Sequence, residues 1–239
     1  MKAILLAGGK GTRISRFIQD VPKSTLPILD KPLIRRTVEV FQKRNIPVIV
    51  CTGYKQEAIH KALKGLDVKY YHNPFYAVTN SIGTLYFAKD EIDDDCIIMN
   101  ADVFFDSKIL DQLIEDKHDA VLASDTSRTK VGDYFFKTNS NHVIVKYGKE
   151  IPLEERTEEY VGLAKVSKKF APTIKKEITH LVDHGKYDFW WENALYTLAD
   201  EGYDIQALDF AGYFWCEIDF YDDYERIINF VKEHGDVEK

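Results

Sequence analysis

The chain has 239 residues, with 32 Lys and Arg against 39 Asp and Glu, a formal charge of −7 and 45% hydrophobic residues. Such a chain makes one large or two small globular domains and has enough apolar surface for a full core. The acidic balance speaks against a general nucleic-acid or anionic-membrane binder, although a few cations can still converge on a local phosphate site.

In chain order, Ala3 to Leu6 reads as a buried strand and Leu33 to Phe41 carries apolar residues at helical spacing. Pro47 to Cys51 is a β-branched buried strand, Gln56 to Leu63 a helix and Val68 to Tyr71 a third strand. Ser81 to Ala88 is helical, Cys96 to Met99 a fourth strand, Ser107 to Glu115 a helix and Ala120 to Ala123 a fifth strand. Strands separated by helices of this length predict βαβ units and a largely parallel sheet. In the second half, Asp133 to Lys137 and His142 to Lys146 form a hairpin pattern, and Tyr160 to Val166 is a strand. Phe170 to Val182 and Trp190 to Ala199 read as helices, Ile205 to Leu208 and Tyr213 to Cys216 as short strands, and Tyr221 to Val231 as a closing helix. No repeat or Pro/Gly/Ser-rich linker interrupts the pattern, which predicts a single α/β domain with a Rossmann-like mixed, mainly parallel sheet flanked by helices.

Cys51, Cys96 and Cys216 are widely spaced, with no CxxC pair, so neither a zinc framework nor a disulfide scaffold is expected. A reducing, cytoplasmic compartment fits that usage. The apolar run at the amino terminus is too short for a signal peptide and leads straight into glycines. No stretch approaches the roughly 18 apolar residues of a membrane span.

Gly8-Gly9-Lys10-Gly11-Thr12-Arg13 follows the first strand directly. Glycines there let backbone N–H groups close around an anion, and Arg13 and Lys10 add positive charge. The order fits neither a Walker A loop nor a dinucleotide fingerprint. Taken alone, the loop reads equally as a phosphate cradle or a plain strand-to-loop turn. Ten residues on, Pro22-Lys23 offers a stiffened approach and one more ammonium.

Together, Leu5-Leu6-Ala7-Gly8-Gly9-Lys10-Gly11-Thr12-Arg13 and Pro22-Lys23 resemble the signature of nucleoside-triphosphate transferases that activate sugar phosphates and phospho-alcohols. The resemblance implies a GT-A-like nucleotidyltransferase fold over residues 1–239. It also implies catalytic roles for Arg13 and Lys23, and nucleotide contacts from Leu6, Ala7, Gly8, Gly9, Gly11, Thr12, Asn80 and Ala101. The segment Asn73-Pro74-Phe75-Tyr76-Ala77-Val78-Thr79-Asn80-Ser81-Ile82-Gly83-Thr84-Leu85 narrows it toward bacterial phosphocholine cytidylyltransferases and their aminoethylphosphonate relatives. Trp190-Trp191-Glu192-Asn193 and Glu217-Ile218-Asp219, followed by Asp223-Tyr224, resemble further segments of the same enzymes. Asn80 reads equally as a helix cap.

Phosphoryl chemistry on a triphosphate calls for a hard divalent cation. Asp102 lies just past the end of the fourth strand, and Glu217 and Asp219 share one face near the carboxyl terminus. In the resemblance, Asp102 and Asp219 hold Mg²⁺, with Asn100 standing where the family often has Gly or Asp. A cationic acceptor head group would suit an aromatic face beside a carboxylate; Trp190, Trp191, Glu192 and Tyr213 or Trp215 offer those residue types, and the resemblance favours Trp191 with Glu192 and Tyr213. The acceptor elements fall within about residues 130–219. The implied partners are CTP and a small phosphorylated acceptor, with no nucleic acid and no membrane. A homodimer stays open, since Phe210, Tyr213 and Phe214 suit either a core or a dimer face. Two other readings stay open: a sugar-1-phosphate nucleotidyltransferase using UTP, dTTP or GTP, and a nucleotide-binding domain without turnover.

Overall fold

The structure, a computed structural model, describes residues 1–11 and 21–236. Strand β1 (Lys2–Ala7) is followed by a short turn of 3₁₀ helix at Lys23–Thr25, the ribbon β2 (Pro27–Ile28) and β3 (Lys31–Pro32), and helix α1 (Leu33–Gln42). Then come β4 (Val48–Thr52), α2 (Gln56–Ala62), β5 (Val68–His72), α3 (Ser81–Phe87), β6 (Cys96–Asn100), β7 (Val103–Phe105), α4 (Ser107–Glu115) and β8 (Ala120–Asp125). The second half holds β9 (Phe135–Thr138), β10 (Ile144–Gly148), β11 (Glu158–Val166), α5 (Ala171–Asp183), α6 (Asn193–Asp200), β12 (Gln206–Asp209), β13 (Trp215–Glu217) and α7 (Tyr221–His234).

Strands β5, β4, β1 and β6 lie side by side and parallel. Strand β11 enters antiparallel between β6 and β8, β12 runs parallel to β8, and the β9–β10 hairpin joins the amino-terminal end of β11. The expected mixed, mainly parallel sheet is therefore what forms. Its central strands are buried on both faces, which is why they are continuous apolar runs. Alternation sends Ile4, Leu6, Ile49 and Ile98 to the layer of α3, α5 and α6, and Ala3, Leu5, Val50 and Met99 to the layer of α1, α2 and α4. A third cluster, with Leu26, Phe104, Ile218 and Ile227, ties β2 and the β7–β13 pair to α7.

Three departures from the sequence pattern shape the cleft. The strand expected from Asp133 starts at Phe135, which leaves Asp133 and Tyr134 outside the ladder. The helix expected from Trp190 starts at Asn193, so the Trp pair lies in the lead-in turn. The short β7 was hidden in an apolar run directly after the turn at Ala101 and Asp102, and it pairs with β13.

Strand β11 keeps β8 on one edge across an irregularity between Tyr160 and Ala164, while its other edge passes from β9 to β6. Gly162 sits there with φ +100, and a Cβ on it would lie 2.7 Å from Val103 Cγ2. Both the backbone conformation and the contact require glycine. Gly162→Ala should cost roughly 1–3 kcal/mol of stability. An unchanged urea midpoint would show that the bend tolerates a side chain.

Candidate active site

The strand order reverses between β1 and β6, and open α/β sheets bind ligands at the carboxyl ends of strands flanking such a point. A cleft opens there. Leu6, Ala7, Gly8, Gly9 and Gly11 line it from β1 and its loop, and Asn100, Ala101 and Asp102 from the end of β6. The cleft also takes in the sequence candidates Lys23, Asn80, Glu192 and Asp219. Arg13 and Thr12 lie outside the described residues. Lys10, the mobile cation of the loop, rests over the Tyr76 ring at 5.9 Å.

Lys23 is the centre of the cleft's charge. Its Nζ donates to Asp219 Oδ1 at 2.5 Å and lies 3.5 Å from Asp102 Oδ2. Gly11 makes room for it: φ is +61 there, and a Cβ would meet Lys23 Cγ at 2.7 Å. Burial alone would lower the Lys23 pKa, but Asp102, Asp219 and the more distant Glu217 overcome it, so the ammonium is held more firmly than in water. Burial raises the Asp102 carboxyl above its ordinary range, against the pull of Lys23. Burial, then the charges of Asp102 and Asp219, push Glu217 well up. Two carboxylates facing one position of positive charge suit a hard divalent ion whose other ligands are phosphate oxygens and water. Among the described residues no cluster of three or more metal-ligating side chains exists, so the protein alone would not cage such an ion.

Asp223 explains the Asp-Tyr segment. Its carboxylate accepts from the backbone N–H of Asp219 at 3.0 Å and Phe220 at 2.7 Å, fixing the turn that presents Asp219. Tyr224 donates to the Pro27 carbonyl at 2.7 Å. Asn73 is wholly buried and donates to Thr79 Oγ1 and Thr84 Oγ1 at 2.9 and 3.0 Å, so it braces the loop leading to α3. Asn80 caps α3, accepting from Ser81 N at 2.8 Å, with its side chain at the cleft edge.

The far end of the cleft is aromatic. Tyr134 stacks on Tyr196 with ring centres 5.4 Å apart and meets Trp190 edge-on at 6.0 Å. Tyr160, Glu192, Asp133 and Lys149 complete this end. Two sequence candidates are corrected. Trp191 is fully buried and donates its indole N–H to Asn100 Oδ1 at 3.1 Å, so the ring facing the cleft is Trp190. Tyr213 packs near Phe210 on the opposite face of the sheet and does not line the cleft. Phe210 is buried, and the half-buried Phe214 stacks on Phe230 at 3.7 Å beside the third apolar cluster. Sequence reasoning missed Tyr134, Tyr196 and Lys149, because nothing local marks residues on a hairpin and a helix as neighbours.

The MobA-like NTP transferase domain model matches residues 3–175. The chain belongs to that family. Its chemistry is nucleotidyl transfer. The CTP:phosphoglutamine cytidylyltransferase of Campylobacter jejuni is 27% identical, over 94% of this chain and 98% of that protein. The choline-phosphate cytidylyltransferase of Streptococcus pneumoniae is 25% identical, over 98% of this chain and all of that one. The solved structure of a CTP:phosphocholine cytidylyltransferase from Streptococcus pneumoniae superposes with a TM-score of 0.79, covering 96% of this chain and 98% of the other at 21% identity. Among the described residues of this nucleotidyltransferase, no helix is long and apolar enough to cross a membrane.

Glu192 gives the site a pH signature. Burial pushes its carboxyl from an ordinary 4.5 to about 7, against the opposing pull of neighbouring donors, among them the Asn100 amide that donates to it at 3.3 Å. The folded state thus binds this proton more tightly than the unfolded chain. Its contribution is fully present below the unfolded pKa and is lost as pH rises from about 4.5 to about 7, on the order of 3 kcal/mol. Urea unfolding at about pH 4.5 and about pH 8 should show a flatter dependence for Glu192→Gln than for the parent protein. Parallel profiles would place the carboxyl in water.

Proposed function

We propose that this nucleotidyltransferase transfers CMP from CTP to a small phosphorylated amino-alcohol or similar amine-bearing acceptor, releasing pyrophosphate. The observation that carries this reading is the cleft's polarity. One end sets Lys23 between Asp102 and Asp219, and the other sets Trp190, Tyr134 and Tyr196 beside Glu192. A molecule with a phosphate at one end and an ammonium at the other fits that order, and an aromatic face contributes about 0.5–2 kcal/mol to holding the cation. The relatives that cover nearly the whole chain support CTP as donor, and their two acceptors, choline phosphate and phosphoglutamine, are both small phosphorylated molecules. The acceptor end draws on elements within about residues 130–219 of a single catalytic domain. Three free, buried thiols accord with a reducing, cytoplasmic setting.

In the step we envisage, an acceptor phosphate oxygen forms a bond to the α-phosphorus of CTP as the bond from that phosphorus to the β-phosphate bridging oxygen breaks in line. The acceptor oxygen is already ionised near neutral pH, so no side chain has to remove a proton, and no histidine lines the cleft. Lys23 stays protonated and offsets charge where two anions meet. The Gly-rich loop and Arg13 hold the triphosphate in this reading. Mg²⁺ held by Asp102 and Asp219 would supply further neutralisation of the phosphates. The remaining catalysis is positioning.

Pyrophosphate release with Mg²⁺, each nucleoside triphosphate and a panel of acceptors tests the proposal. CTP with an aminoalkyl phosphate, with or without a carboxylate beside the amine, should be a productive pair. Turnover only with another triphosphate and a sugar 1-phosphate, or none at all, overturns it. Lys23→Ala should retain the native circular dichroism spectrum and lose about 10²-fold or more in turnover. Near-normal pyrophosphate release by that variant would remove Lys23 from the chemistry.

A further inference from the structure

A lysine already stands at the acceptor end of the cleft. Lys149 Nζ lies 5.3 Å from the centre of the Trp190 ring and 2.5 Å from Asp133 Oδ2, and all three residues line the cleft. An exposed ion pair is often incidental. Here both halves rest on built supports. Glu159 is buried and accepts from the backbone N–H of Asp133 at 3.2 Å and from Arg128 Nε at 2.6 Å. Its carboxylate occupies the space a Cβ on Gly132 would need, which fixes the approach of the Asp133 segment. On the other side, Gly148 turns the chain out of β10 with φ +135. Arg156, stacked 3.8 Å from the Phe135 ring centre, donates to the Ile151 carbonyl at 2.7 Å and the Lys149 carbonyl at 3.4 Å. Two packed guanidinium-based braces therefore set Lys149 and Asp133 opposite one another.

The charges at this end do not match a simple cation. An ammonium head group seeking the Trp190 face meets the Lys149 ammonium there, and the two positive charges repel. A head group with an ammonium and a carboxylate on one carbon matches the whole set: its carboxylate takes Lys149, and its ammonium takes Asp133 with Glu192 behind. The exposed pair is then exchanged for two pairs of the same kind, with no charge left alone. We propose that Lys149 and Asp133 select acceptors whose head group is zwitterionic, an amino-acid type of phosphorylated molecule, over those carrying an ammonium alone. The proposal rests on the reading that an acceptor phosphate is cytidylylated in this cleft.

Matched acceptors test it. Phosphoserine differs from ethanolamine phosphate by one carboxylate on the ammonium-bearing carbon, and phosphohomoserine differs from aminopropyl phosphate in the same way. With CTP and Mg²⁺, the parent protein should favour the carboxylate-bearing member of at least one pair by about tenfold or more in kcat/KM, the difference lying in KM. Lys149→Met should bring that ratio to one or below, with ethanolamine phosphate gaining because its competitor is gone, and Lys149→Arg should restore the preference. A parent ratio at or below one for both pairs overturns the proposal, as does a preference that survives Lys149→Met. Productive CTP turnover with ethanolamine or choline phosphate as the better acceptor would overturn the selection by Lys149 while leaving cytidylyl transfer standing. No pyrophosphate release with any acceptor, these four included, would overturn both.

Discussion

A single ammonium held between two carboxylates governs this molecule. Lys23 and Asp219 are 196 residues apart, and Asp102 belongs to a third segment, yet all three meet within hydrogen-bonding or ion-pair distance. Two carboxylates brought together in a half-buried cleft repel one another, and the ammonium between them offsets that repulsion. Burial already pushes Asp102 toward its protonated form, and Lys23 opposes that push. The cleft is in this sense a socket for positive charge, and the fold supplies what keeps the socket in register.

Each partner reaches the socket from a different kind of support. Asp102 follows β6, a central strand buried on both faces, so its position is as rigid as the sheet. Asp219 follows the short β13, which has only β7 as a strand partner. Its rigidity comes from the third apolar cluster beneath and from Asp223, which ties down the turn. Lys23 sits on a single 3₁₀ turn and crosses the Gly11 loop, where any side chain at position 11 would displace it. The glycine loop thus has a second duty besides receiving an anion. It opens the path along which the lysine reaches its carboxylates.

Much of this was legible in the chain. Buried parallel strands announce themselves as apolar runs, and Ala3 to Leu6, Pro47 to Cys51 and Cys96 to Met99 each fall within one residue of an observed strand boundary. Leu6, Gly8, Gly9, Gly11, Lys23, Asp102 and Asp219 could be picked out because together they resemble a family signature, which residue type and spacing alone would not have separated from other glycines and acids, and the structure gathers them in one cleft. The acceptor end was less readable. Tyr134 and Lys149 lie beside strands whose alternation says which face is apolar but not which distant helix turn will come to meet it. The family resemblance nominates Trp191 over Trp190, and a helical reading of the pair says only that one ring at most faces a ligand. With α6 beginning only at Asn193, no helical phase governs either ring.

The Trp pair also shows how the two ends of the cleft are joined. Trp191 is buried, and its indole N–H binds Asn100, whose amide nitrogen in turn donates to Glu192 at 3.3 Å. Asn100 is the last residue of β6, two positions before Asp102. One strand end therefore carries both the carboxylate at the phosphate end and the amide that orients the carboxyl at the acceptor end. In-line transfer is steeply sensitive to the spacing between attacking oxygen and phosphorus, and a displacement of about 1 Å can cost 10²-fold. Fixing both ends to β6 holds that spacing through a strand paired on both sides rather than through loops. An Asn at position 100 is suited to the task, because one amide can accept from the indole and donate to the carboxyl at once. A Gly there would leave the Trp191 N–H buried without this acceptor, and an Asp would set a second carboxylate against Glu192.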